Sequence, residues 1–318
     1  MGTRKALLGA LFATTTAVAW GGQFVVGKSA LGTINAFPLS TIRYAAAVLL
    51  WVALLVIVEG PGALRLEGRG RRLFWLGTLG FAGFNLLAYT GLAHARPQSA
   101  SLIVALAPLL TALVLWRRTG TRPTSTTLVL LGVALAGVAL VISGGNPASI
   151  VNGSVGWGDA LVFAGVFSFV LYGLGAAEFP ELSALRFTTL TAALGWITLA
   201  AATAVAVASG LVTWPTASQI SSVAPQIAYL TIPGAVLAVL SWNAAIGLIG
   251  PQNAVLFGNL IPVTTFAIEI ARGYRPGPVE LAGAGLTISA LVANNLIARR
   301  QRRPEAEAPV ELELAEAA

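Results

Sequence analysis

The chain has 318 residues, 56% of them hydrophobic and only 10% charged, with a mean hydropathy of +0.82. That is too little polar surface to coat a soluble globule of this length, so the composition describes an all-α polytopic membrane protein whose constant partner is a lipid bilayer. The absence of cysteine excludes disulfides and thiolate sites, and the single histidine, His94, leaves no His-based metal cluster and no serine-hydrolase base network; no metal, cofactor or enzyme activity is expected. The net charge of +7 lies in short segments between apolar runs and not along one face, so it reports topology and not nucleic acid.

Ten spans can be drawn, at 6–27, 38–58, 72–92, 97–116, 126–143, 157–177, 184–209, 223–248, 251–271 and 279–298. An even number places both termini on one side. Arg4 and Lys5 precede a first span with no small-residue cleavage signature, so that span is expected to be retained. With cytoplasmic termini, 14 Lys and Arg residues fall inside and 5 outside, the expected bias for the cytoplasmic (inner) membrane of a bacterium.

In chain order, span 1 carries Trp20 and Gln23 beside Gly21, Gly22 and Gly27, which allow another helix or a ligand to approach closely. Span 2 opens with Arg43, read as a helix-end side chain reaching back to the interface. Span 3 supplies Asn85 and Tyr89, one helical turn apart. Span 4 is PQSASLIVALAPLLTALVLW from Pro97, with Gln98, Ser101 and Pro108 on one stripe. Span 6 has Asp159 near its start, then Phe163 and Phe167. Span 7 opens with Arg186, a second helix-end anchor. Span 8 holds Ser241, Trp242 and Asn243. Span 9 is PQNAVLFGNLIPVTTFAIEI from Pro251, in which Gln252, Asn259, Pro262 and Phe266 share a face and Glu269 closes the run. After Arg303 the acidic sequence EAEAPVELELAEAA lacks a core, so residues 301–318 are expected to be disordered.

Spans 4 and 9 are the same sequence written twice. At an offset of 154 they share seven of twenty residues, including Pro97/Pro251, Gln98/Gln252 and Pro108/Pro262. Shorter likenesses link spans 2 and 7 and spans 5 and 10, so residues 1–150 and 151–300 form two five-span repeats. Five is odd, so the second repeat enters the bilayer from the opposite side. Pro108 and Pro262 each remove a backbone hydrogen bond near mid-span, where a matched pair of interrupted helices serves as a hinge at a transporter's midplane site.

The 5+5 arrangement, the PQxA starts and the closing residues Glu269, Gly273, Glu280 and Gly283 resemble the EamA repeats of the drug/metabolite transporter superfamily, and most resemble the YddG-type exporters of aromatic amino acids. The resemblance implies ten helices around a central cavity, alternating access and export. Leu115 stands where the second repeat has Glu269, a departure from strict duplication.

A substrate site is expected from Trp20, Gln23, Asn85, Tyr89, Gln98, Ser101, Phe163, Phe167, Trp242, Asn243, Asn259 and Phe266, with amides for the polar end of a small amino-acid-like solute and aromatic walls for an apolar side chain. Ordinary core packing competes for the aromatic residues, and helix-to-helix hydrogen bonding for Asn259. No Lys or Arg is expected at mid-depth. Asp159 and Glu269 are the candidate coupling acids, with solvated helix ends as the alternative; without a visible mid-depth acid, facilitated diffusion is expected over proton antiport. Two halves in one chain make a monomer sufficient.

Overall fold

A long apolar chain in lipid must satisfy its backbone N–H and C=O groups internally, and the helix does so within one segment. The computed structural model describes residues 3–306, except 121, 147 and 149–155. The expected boundary between residues 150 and 151 and residues 307–318 of the expected disordered segment lie outside the described residues, whereas residues 301–306 of that segment are helical and continue the last helix. Among the described residues the structure is helical and has no strand. The helices are α1 (Thr3–Leu31), α2 (Ala36–Glu59), α3 (Gly70–His94), α4 (Pro97–Ala105), α5 (Ala107–Thr119), α6 (Ser125–Ser143), α7 (Trp157–Ala176), α8 (Ala184–Ala208), the short α9 (Ala217–Ser222), α10 (Ala224–Ile249), α11 (Pro251–Gly258), α12 (Leu260–Ala271) and α13 (Pro278–Ala306). Eight segments are long and apolar enough to cross a membrane, and the bent pair α4–α5 makes nine if it is one crossing. At 29 residues α1 is long enough, but Thr14, Thr15, Thr16, Gln23 and Lys28 dilute its apolar sequence.

Local signals set the helix ends. The Asn35 side chain accepts from Phe37 N, Thr124 from Thr127 N and Ser183 from Arg186 N, each satisfying an amide that a helix start leaves without a partner. Both predicted interruptions occur just before their prolines. The chain bends by 42° between α4 and α5, where Leu106 precedes Pro108, and the second break falls at Asn259, ahead of Pro262.

Two further irregularities were not anticipated. A π-turn interrupts α3 over Thr78–Gly83 and another interrupts α10 over Ile232–Leu237. Each residue of the second lies 154 positions after its counterpart, the offset of the sequence repeat. In each π-turn one carbonyl accepts a side-chain hydrogen bond from the other repeat, at Leu79 in addition to the backbone bond from Phe84 N. Ser168 Oγ on α7 donates to Leu79 O at 2.8 Å, and Trp20 Nε1 on α1 donates to Gly234 O at 3.1 Å.

The main helix pairs likewise join the two repeats: α1 with α10, α3 with α7, α2 with α8 and α6 with α13. Small residues let the backbones meet, as at Gly137 on α6, where an added Cβ would stand 2.6 Å from Gly283 O on α13. Polar contacts define the two ends of the bundle. At one end Lys28 Nζ donates to the carbonyls of Leu92, Ala93 and Ala95 at 2.8–2.9 Å, closing the C-terminus of α3. At the other end Arg186 donates to Ala63 O, Arg65 O and Glu67, and Arg72 pairs with Glu178. The exposed Trp75, Trp157 and Trp214 lie at or near helix ends, where amphipathic rings suit an interface.

Candidate substrate-binding site

The predicted residues form several groups. On α1, Trp20 reaches the α10 π-turn through Gly234 O and lies against Trp242, with ring centroids 5.7 Å apart. Gln23, one turn on and buried, packs against the same Gly234. These two and Trp242 therefore meet across the repeats, with Asn243 half-buried beside them in sequence.

Asn85 and Tyr89 are buried on α3 and meet a residue assigned elsewhere by the sequence reading. Arg43 was expected to reach the interface; it is instead 1% exposed. The helix begins at Ala36, so Arg43 lies seven residues, about 10 Å, along α2 from its end. Its Nη2 donates to Asn85 Oδ1, and its guanidinium lies 4.3 Å from the Tyr89 ring centroid and 4.7 Å from that of Tyr44. Asn85 is held in place by its own Nδ2, which donates to Phe81 O at 2.7 Å. The physical reason for the difference is that Asn85 and the two rings offer this cation an acceptor and π-faces inside the protein, worth up to about 2 kcal/mol per desolvated ring. The expectation of a helix-end side chain reaching back to the interface is corrected accordingly: the Arg43 guanidinium is buried in the bundle. Arg186, only the third residue of α8, fits its expected role at a helix end.

Gln98 and Ser101 are buried in the first turns of α4, where Ser101 Oγ donates to Gln98 O. Asn259 is 6% exposed at the second helix break, and its Nδ2 donates to Leu256 O at 3.0 Å, which caps the interrupted turn. Pro262 and Phe266 are buried on α12, Pro108 is half-buried on α5, and the side chain of Gln252 lies outside the described residues. Phe163 borders an apolar groove of about 280 Å³ between α4, α6 and α7. Phe167, 43% exposed on the outside of the bundle, is not brought to the other residues. A second apolar groove of about 470 Å³ runs between α2 and α10 and holds none of the predicted residues.

The two candidate coupling acids differ. Asp159 is 6% exposed in the first turn of α7, where Ser99 Oγ donates to its Oδ1 at 2.5 Å, so it is not a solvated helix-end acid. Glu269 is partly open and lies 3.7 Å from Arg272. Near Asp159, Arg96 donates to Glu280 and to Val141 O, and Tyr274 Oη donates to Glu280, which ties α4, α6 and α13 together at the Lys28 end. Burial raises the Tyr274 phenol above its ordinary value, and the carboxylate that accepts its proton adds to the shift.

The EamA-like transporter family matches twice, over residues 7–143 and 156–296, and so covers both halves of this helical frame. The chain belongs to the EamA-like transporter family. It is 31% identical over 303 residues to the uncharacterized transporter YrdR of Bacillus subtilis (strain 168), covering 92% of this chain and 93% of that one. It is 26% identical over 299 residues to a probable terminal-alkyne amino-acid exporter of Streptantibioticus cattleyicolor, covering 92% and 95%. A solved protein chain of 18% identity superposes with a TM-score of 0.64 over 95% of this chain and 99% of its own, which shows a shared fold. This EamA-like protein is therefore a multi-pass membrane transporter, not an enzyme.

Proposed function

We propose that this EamA-like protein exports small amino-acid-like metabolites, aromatic or otherwise hydrophobic, across the bacterial cytoplasmic membrane by alternating access. In this reading ten crossings, with α1 and the pairs α4–α5 and α11–α12 counted as one each, form a 5+5 inverted repeat with cytoplasmic termini. A single chain suffices, and the substrate route runs between the repeats. The observation that carries the reading is the reciprocal fit of the repeats: one carbonyl of each π-turn accepts a side-chain hydrogen bond from the other half, and a helix is broken in each half before a matched proline. The relative named as a probable terminal-alkyne amino-acid exporter supports the cargo class.

The Trp20–Trp242 pair supplies an aromatic wall and Gln23, Asn85 and Asn259 supply amides, which suits a solute with one apolar and one polar end. Transport is facilitative. A proton-coupled exporter is the second reading, favoured by the burial of Asp159 against Ser99. The test is counterflow of labelled phenylalanine or tryptophan in liposomes, with and without an imposed pH gradient. Uptake indifferent to the gradient is expected. Stimulation that Asp159→Asn abolishes would replace facilitated diffusion by coupling, and no uptake under either condition would end the aromatic amino-acid assignment.

A further inference from the structure

Arg43 is the one Lys or Arg among the described residues that is buried, and no carboxylate pairs with it. One of its nitrogens, Nη2, is taken by Asn85, whereas Nε and Nη1 are buried without a hydrogen-bond partner. Two buried hydroxyls nearby are also unpartnered: Ser40 Oγ, one turn back on the same face of α2, and Tyr89 Oη, on the ring that packs against the guanidinium. A buried, uncompensated charge costs several kcal/mol, and cation–π contacts alone do not balance it. What this cluster has in excess is donors and one positive charge. What it lacks is an acceptor with one negative charge.

We infer that Arg43, Ser40, Asn85 and Tyr89 form a binding site for the carboxylate of the transported solute. Charge balance selects the ligand class. A monovalent carboxylate neutralises a single guanidinium and matches its planar fork, whereas a phosphate dianion would leave net negative charge in a low-dielectric interior with no second cation to meet it. Thr231 Oγ1 on α10 donates to Arg43 O at 3.4 Å, which joins the cluster to the helix whose π-turn carries the Trp20 contact. The inference deepens the export reading and rests on it for the word solute. It narrows the cargo to molecules with a free carboxylate and excludes esters, amides and simple amines.

The test uses the whole protein in detergent, with thermal unfolding as the readout and acid–amide twins as probes: phenylalanine against phenylalaninamide, and benzoate against benzamide. The acids should raise the unfolding temperature and the amides should not. Asn85→Asp places an internal carboxylate against Arg43, so it should fold at least as well as the parent while carboxylate affinity falls at least tenfold. Arg43→Lys, which keeps the charge and loses the fork, should fall between. Equal responses to acid and amide, no response to either acid, or an Asn85→Asp variant that binds acids like the parent would each overturn the assignment. Phenylglyoxal labelling in liposomes, mapped by mass spectrometry, adds a readout that needs no chosen ligand. A cargo-binding Arg43 becomes reachable as the site opens and is labelled; a structural one stays unmodified, and that result too would overturn it. Counterflow that persists with Arg43 insensitive would sink this site and leave the transporter standing. Loss of acid binding in Asn85→Asp without amino-acid counterflow would do the reverse.

Discussion

Two glycines on α6 give the same substitution opposite signs. At Gly137 an alanine Cβ would stand 2.6 Å from Gly283 O and 2.9 Å from Thr287 N, both backbone atoms of α13 that no side-chain rotation can move. A carbon and a carbonyl oxygen settle at about 3.3–3.6 Å, so the two helices must part by about 0.7–1 Å. Overpacking of that kind costs about 1–3 kcal/mol, and the hydrogen bond from Thr287 Oγ1 to Ala134 O, which crosses the same seam at 3.2 Å, adds about 0.6 kcal/mol if it breaks. At Gly132, five residues earlier and exposed, nothing lies within 4 Å of the added methyl. There only the backbone term remains, a gain of about 0.5–1 kcal/mol. That term is common to both positions, so Gly137→Ala should be less stable than Gly132→Ala by about 1.5–3.5 kcal/mol. Reversible unfolding of the two variants in mixed micelles measures the difference directly. Equal stability would show that α6 and α13 do not meet in this register.

Trp20→Phe and Ser168→Ala each remove one donor to a π-turn carbonyl. Each should lower stability by about 0.6–1.7 kcal/mol, with additive losses in the double variant because the sites lie in opposite repeats; unchanged unfolding in both would remove the bracing role. Asn259→Ala and Trp20→Ala should impair transport while leaving membrane insertion intact, and parental uptake in both would take them out of the substrate route. At the Arg186 end, hydrogen bonding to Arg72 holds the Glu178 carboxyl below its ordinary value. A folded-state value below the unfolded one contributes stability above the ordinary carboxylate range, and that contribution is lost as the pH falls through the folded value. Arg72→Gln should therefore lose less unfolding temperature between about pH 5 and about pH 3 than the parent; an equal loss would show that the pair is screened out.

The helix breaks before Pro108 and Pro262 could be read from the chain because a proline inside an apolar run has a single backbone consequence. The first π-turn could not, since nothing in TLGFAG distinguishes a wide turn from an ordinary one; the second, IPGAVL, carries Pro233, whose missing N–H does signal irregular backbone, and the shared offset ties the two to the repeat. Asn85 and Tyr89 stand out as polar residues one turn apart, but their meaning depends on Arg43, which is buried and does not reach the interface. The span drawn from residue 38 already put Arg43 inside it; what hydropathy does not show is that Asn85 and the rings of Tyr44 and Tyr89 meet the guanidinium there. The available signal was Ser40, Thr41 and Arg43 together, too polar a group for a face turned to lipid. Phe167 was misplaced for the opposite reason: α7 is apolar all round, so its periodicity does not say which side packs and which meets lipid.

Where the repeats agree, the shared residues serve the frame. The prolines of the broken helices, the π-turns and the cross-repeat contacts recur because both halves must solve the same packing problem. Where they differ, the difference falls on polar groups in the interior. At the offset of 154, Asn85 corresponds to Val239, Tyr89 to Asn243 and Ala105 to Asn259. Arg43 is buried, while its counterpart Arg186 holds loop carbonyls at the end of the bundle. A frame with twofold internal likeness cannot by itself distinguish the two ends of a cargo that is polar at one end and apolar at the other. Recognition of such a cargo requires the likeness to be broken at the residues that touch it, and the deepest break in the chain is at Arg43, Asn85 and Tyr89.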